Sequence, residues 1–187
     1  MNIKGIFYVV TKDYMVTTFG EDRWKAFMTR LAEKDKYFAN KTLMAVTPIP
    51  AEKLIVLFDE MCNDFFNNDK SRYELFGKTG AKYALGPGGP YHSYMNTKDL
   101  KQFIEFSVPK IWQAYFDGGK ITTQLENNVA HVKIIGIPIR HAAFERCVLG
   151  YFQQTIKVFG KKSVAKQVRS IASGDNEIYF TYELKDA

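Results

Sequence analysis

Cysteine is scarce in this chain of 187 residues: there are two, Cys62 and Cys147, each among apolar neighbours. Two cysteines cannot build a disulfide framework, so they read as free core thiols of a reducing compartment. Histidine is nearly as rare, with three, which leaves little imidazole for a metal cluster. No apolar run approaches the ~20 residues that a membrane-spanning helix needs. The run Ile6–Val10 is broken at once by Lys12 and Asp13, too short for the core of a secretory signal. A cytoplasmic protein without a membrane span is the expectation. Repeats, linkers and low-complexity tracts are missing too, so a single domain over 1–187 is expected, mainly helical over 1–118.

A catalytic set is also lacking. Asp59 and Glu60 are adjacent and diverge around a helix, so they do not form a carboxylate pair. Gly86-Pro87-Gly88-Gly89-Pro90 has no Lys-Ser/Thr after it and two prolines without N–H groups, which speaks against a phosphate cradle. His141 and Cys147 lie about two helical turns apart, too far for a compact dyad. The chain is not expected to be an enzyme.

Aromatic residues are abundant. They make up 15% of the chain, with 15 Phe and 11 Tyr, and apolar residues reach 46%. Such a surplus fills a core and also suits an apolar pocket or a partner surface. The net charge of +6 is spread out. Its densest cluster, Lys157, Lys161, Lys162, Lys166 and Arg169, comes with no nucleic-acid motif and reads as a solvated basic face.

Periodicity supplies the architecture. Ile3, Ile6, Phe7, Val10 and Tyr14 predict a first helix that Gly20 ends, and Trp24, Phe27, Met28 and Leu31 a second. A polar connection runs over 34–47. Pro48 and Pro50 bracket the way into a third helix with the stripe Leu54, Ile55, Phe58, Met61, Cys62 and Phe65, stopped by Asn67–Asn68. Ser71–Leu85 predicts a fourth helix, whose Gly77 and Gly80 let another helix come close. Leu100, Phe103 and Ile104 mark a fifth. Pro109 opens a sixth, which carries Ile111, Trp112, Tyr115 and Phe116.

The last third, 119–187, reads as hairpin, long helix, hairpin. Lys120–Leu125 and Val129–Ile135 alternate around Asn127–Asn128, a pair that tolerates the positive φ of a tight turn. The helix buries Phe144, Cys147, Val148, Tyr151, Phe152, Ile156 and Phe159. The strands after it place Ile178, Phe180, Tyr182 and Leu184 on one face. The fold class expected is α+β: a helical N-terminal half packed on a four-stranded antiparallel sheet.

Two stretches carry a family likeness. His141-Ala-Ala-Phe-Glu-Arg-Cys-Val-Leu-Gly150-Tyr-Phe, with Gly160 and Ser170-Ile-Ala-Ser-Gly-Asp175-Asn-Glu-Ile-Tyr-Phe180, resembles the 4-vinyl-reductase-type small-molecule-binding domain. Ile3-Lys4-Gly5-Ile6, with Tyr14 and Phe19-Gly20, is similar to the opening of bacterial haem nitric-oxide-binding domains, which share a broad fold with the TRAPP vesicle-tethering subunits. The resemblance implies a regulatory input module in which an apolar cavity receives a ligand or acyl chain and biases a homodimer or a signalling partner. Zinc-binding members use cysteines where this chain has Ser170 and Ile178. Haem-binding members use a histidine on the helix before the sheet and a Tyr-x-Ser-x-Arg motif; 99–116 contains no histidine, and the chain no such motif. The expectation is therefore a domain without cofactor or metal that binds an apolar small molecule or lipid. Its pocket candidates are Phe65, Tyr94, Trp112, Phe116 and Tyr151, with His92 as the polar group. The alternatives are a TRAPP-like structural adaptor and a haem-based gas sensor that uses non-family ligands such as His92 or His141.

Overall fold

The computed structural model describes residues 1–39, 42–97 and 99–186. The chain opens on a short strand, β1 (Asn2–Lys4), followed by helices α1 (Ile6–Phe19) and α2 (Glu21–Lys34). A second short strand, β2 (Pro48–Pro50), leads into α3 (Ala51–Phe66) and α4 (Arg72–Leu85). Here the structure corrects the first expectation: Ile3 belongs to no helix. It pairs with Ile49 across an antiparallel two-stranded ribbon and bridges to Phe116. Partners 46 and 113 residues away in sequence (49 − 3 and 116 − 3) decide its conformation, and local periodicity does not register them.

Residues 40 and 41 of the predicted polar connection lie outside the described residues. The rest of it is less polar in practice, since Phe38 and Leu43 are buried. At the end of α3, Asn67 takes left-handed backbone angles and stops the helix. The fifth and sixth helices form one continuous rod: α5 (Leu100–Gln102), a π-helical turn over Phe103–Ser107, and α6 (Val108–Tyr115). Pro109 sits in the first turn of α6. The π turn is pinned to the sheet, because Thr123 Oγ1 donates to the Ile104 carbonyl at 2.5 Å and the Leu125 amide donates to Glu105 Oε1 at 3.1 Å.

The C-terminal part follows the alternation seen in the sequence. β3 (Lys120–Glu126) and β4 (Val129–Ile135) close through Asn127 and Asn128, both at positive φ. Helix α7 (Ala142–Val158) crosses over, and β5 (Lys161–Arg169) and β6 (Glu177–Asp186) complete an antiparallel sheet in the order β3-β4-β6-β5. Ala130, Val132 and Ile134 of β4 and Ile178, Phe180, Tyr182 and Leu184 of β6 are buried on one face. Register explains why they act together: Val132 faces Phe180 and Ile134 faces Ile178, so both apolar rows point at α7. Helices α4 and α7 pack backbone to backbone. A Cβ added to Gly77 would overlap the Cys147 carbonyl, and one added to Gly150 would overlap the Glu74 carbonyl.

Candidate functional site

Helices α1, α3, α6 and α7 converge on an apolar cavity above the sheet. Its floor and ceiling are aromatic: Phe7 from α1, Phe58 from α3, Trp112 and Tyr115 from α6 with Phe116 just beyond it, and Phe144, Tyr151 and Phe152 from α7. Ile3, Leu54, Ile55, Val108, Ile111, Ile121, Cys147 and Val148 fill the gaps between them. About 60 Å³ of the cavity is open to the centre of a water-sized sphere.

Packing among the rings sets the cavity's shape. Trp112 stacks on Phe116 with centroids 4.1 Å apart, and its indole N–H donates to the Gly118 carbonyl at 3.3 Å. Phe144 meets both of those rings edge-on, and Phe7 meets Tyr115 in the same way at 5.0 Å. On α7, Phe144, Cys147, Val148, Tyr151 and Phe152 recur at three- and four-residue steps and form one stripe.

Polar groups on the wall are few. Cys147 Sγ lies 3.2 Å from the Tyr73 carbonyl and donates to it, and burial pushes the thiol up. Burial also raises the phenols of Tyr115 and Tyr151, and each lies close enough to influence the other. The Tyr151 hydroxyl is buried beside that of Tyr115, which donates toward it. Among the described residues, no lysine, arginine, histidine, aspartate or glutamate lines this cavity.

Of the residues singled out in the sequence, Trp112, Phe116 and Tyr151 stand together on this wall. The other three lie elsewhere. Phe65 packs between Phe19 and Phe27 with Arg23 over its ring, in the α1–α2–α3 core. Tyr94 packs against Tyr91. His92 is exposed, and its Nδ1 lies 3.0 Å from the Leu85 carbonyl, where it caps the end of α4. A stripe on one helix can be read from spacing. The meeting of Ile3, Phe7, Leu54, Phe58 and Ile121 with that stripe depends on tertiary packing and leaves no local signal.

The remaining histidines also stand apart from the cavity. His131 on β4 contacts the Tyr179 hydroxyl at 2.8 Å on the outer sheet face. His141 caps α7, with its Nδ1 accepting from the Ala143 amide at 3.2 Å and its Nε2 3.4 Å from Asp59 Oδ2. Asp59 also accepts from the Tyr73 hydroxyl. Ser170 Oγ donates to Glu145 at 2.8 Å and Ile178 is fully buried. Among the described residues, no group of three His, Cys, Asp or Glu is arranged to hold a metal ion. No helix among them is long and apolar enough to cross a membrane.

No family model and no curated protein sequence matches this chain. Its fold is shared with solved structures from end to end. An H-NOX protein from S. oneidensis in the Fe(II)NO ligation state superposes with a TM-score of 0.75 at 16% identity, covering 98% of this chain and 100% of that one. The Fe(II) unliganded H-NOX protein from K. algicida gives 0.70 at 13% identity, over 99% and 98%. An oxygen-binding H-NOX domain related to soluble guanylate cyclases, in its oxygen complex, gives 0.69 at 11% identity, over 98% and 96%.

These neighbours correct the expectation of no cofactor, because they are haem proteins described by the ligation state of their iron or as an oxygen complex. The aromatic faces of this cavity suit a flat macrocycle. Its groups able to reach an iron are the phenols of Tyr115 and Tyr151 and the thiol of Cys147; both kinds of donor hold haem iron in some proteins. Among the described residues it offers neither an imidazole nor a cation to meet haem's carboxylates, so a histidine-held haem does not fit this lining. The chain has the H-NOX fold around an apolar, aromatic-lined cavity.

Proposed function

We propose that this chain is a small-molecule sensor domain and that the cavity between the helical half and the sheet is its input site. One observation carries the reading: an apolar cavity is walled by helices from both halves of the chain. A bound molecule there would touch α6 and α7 together. It would thereby bias how α7 sits on α4, and so what a homodimer mate or signalling partner meets at the surface. The reading involves no bond-making and treats 1–187 as one working unit.

The fold neighbours support haem-based gas sensing as the leading form of this reading. An apolar small molecule or lipid is the second form, supported by a lining without charge. Haem titration of the purified chain tests the first. A saturable Soret band that changes in Tyr151→Phe, Tyr115→Phe or Cys147→Ser is the result expected of it. A chain that takes up neither haem nor any apolar molecule would overturn the sensor reading.

A further inference from the structure

One edge of the sheet is closed and the other is open. On β3, the Thr123 hydroxyl and the Leu125 amide are bonded to the π turn. On the far side, β5 pairs with β6, and among the described residues no element pairs with its outer edge. That edge is nine residues long and contains no proline. A strand edge of this kind is a template for another strand.

The charges along the edge select which strand. β5 carries Lys161, Lys162, Lys166 and Arg169 and no carboxylate. Lys161 is paired with Asp186 at 2.6 Å, and Arg169 with Glu177. Among the described residues, Lys162 and Lys166 make no ion pair, nor does Lys185, which stands opposite Lys162 on β6. One exposed carboxylate, Glu183, lies among these three cations, opposite Val164. Val164 itself, between the two lysines on the same face, is 52% exposed.

A second copy of this chain does not suit the edge. It would add its own Lys162 and Lys166 to the patch, and like charges across strands are destabilising. A nucleic acid would meet the cations, but it has no amide and carbonyl ladder at strand spacing and gains nothing from Val164. An acidic polypeptide satisfies the open backbone, the cations and the valine together. The edge is also tied to the helix that walls the cavity: β5 follows α7 after Phe159 and Gly160, and Gln167 donates to Glu145 of α7 at 2.5 Å.

We propose that the outer edge of β5 is a strand-addition site for an acidic segment of a partner protein, with the pattern acid-x-apolar-x-acid. The spacing follows from the strand period of two. The carboxylates face Lys162 and Lys166, and the apolar residue covers Val164. The proposal does not depend on what occupies the cavity.

The test is an NMR titration of the full chain with the end-capped peptide Thr-Glu-Thr-Val-Thr-Glu-Thr. Saturable binding is expected, with slower hydrogen exchange at the β5 amides that point away from β6. The double variant Lys162→Glu/Lys166→Glu is expected to weaken binding by about tenfold, the size of two exposed charge pairs. The peptide Thr-Lys-Thr-Val-Thr-Lys-Thr is expected not to bind the wild-type chain, which repeats the charge test on an unaltered protein. Absence of binding by the acidic peptide, binding without new protection in β5, or equal binding of the lysine peptide would overturn the proposal. A thymidine oligonucleotide that binds the same lysines more tightly than the acidic peptide would overturn it too and assign the face to nucleic acid. None of these results bears on the input-site reading, since no β5 residue lines the cavity.

Discussion

Gly77 on α4 lies against the backbone carbonyl of Cys147 on α7, so close that even a methyl group there would overlap it. Gly150 stands in the reciprocal relation to Glu74. The two helices therefore meet without intervening side chains, and this contact fixes the height of α7 above the sheet and with it the cavity's width. Gly77→Ala and Gly150→Ala are predicted to destabilise the chain by about 1–3 kcal/mol each, the usual cost of overpacking, in urea unfolding. Gly80→Ala, with only the Tyr151 ring at 3.9 Å, is predicted to be neutral or to stabilise by up to about 1 kcal/mol through helix propensity. The reverse order of the two effects would contradict the packing described.

Glu145 is 2% exposed and accepts from the Gln167 amide at 2.5 Å, the Ser170 hydroxyl at 2.8 Å and the Ala172 amide at 3.0 Å. It ties α7 to the β5–β6 connection. Glu145→Ala leaves those donors without their acceptor and is predicted to cost about 2–3 kcal/mol, read as a lower urea midpoint. An unchanged midpoint would mean that the network adds nothing.

Burial pushes the Cys62 thiol up to about 11 and lifts the phenols of Tyr73, Tyr115, Tyr151 and Tyr182. The folded chain thus holds these protons more tightly than the unfolded chain, whose values are about 8.5 for Cys and about 10 for Tyr. The stability they contribute is complete below the unfolded values and is lost as pH rises through the folded ones. Urea midpoints are predicted to hold steady at neutral pH and to fall from about pH 9 upward. Cys62→Ala should make that fall shallower between about pH 9 and 11. A midpoint that rises with pH in this window would contradict the burial of these groups.

How much of this could be read from the sequence varies by element. Asn127–Asn128 between two alternating runs specified the β3–β4 turn by local chemistry, and the alternation of Ile178, Phe180, Tyr182 and Leu184 specified which face of β6 is buried. The stripe on α7 was equally legible, because it repeats every three to four residues. Ile3 was not, since its strand exists through Ile49 and Phe116. The π turn over Phe103–Ser107 was not either; its Ile104 and Glu105 are held by Thr123 and Leu125 of the neighbouring strand. For the site, Trp112, Phe116 and Tyr151 stood out as large rings. The idea that His92 faces a pocket came from its neighbours in sequence, whereas the ring turns toward the end of α4. The approach of Tyr115 to Tyr151 has no signature in sequence at all, because it depends on how α6 packs on α7.

The cavity as an input site is most directly tested through the emission of Trp112, which lines it. The chain has two tryptophans, and Trp24 sits apart, between Tyr8 and Phe27. In Trp24→Phe, the fluorescence is that of Trp112 alone. Titration with haem and, separately, with the small neutral probe cyclohexanone is predicted to quench or shift this emission saturably with at least one of the two. Emission that stays constant through both titrations, while the fold is intact, would contradict the account.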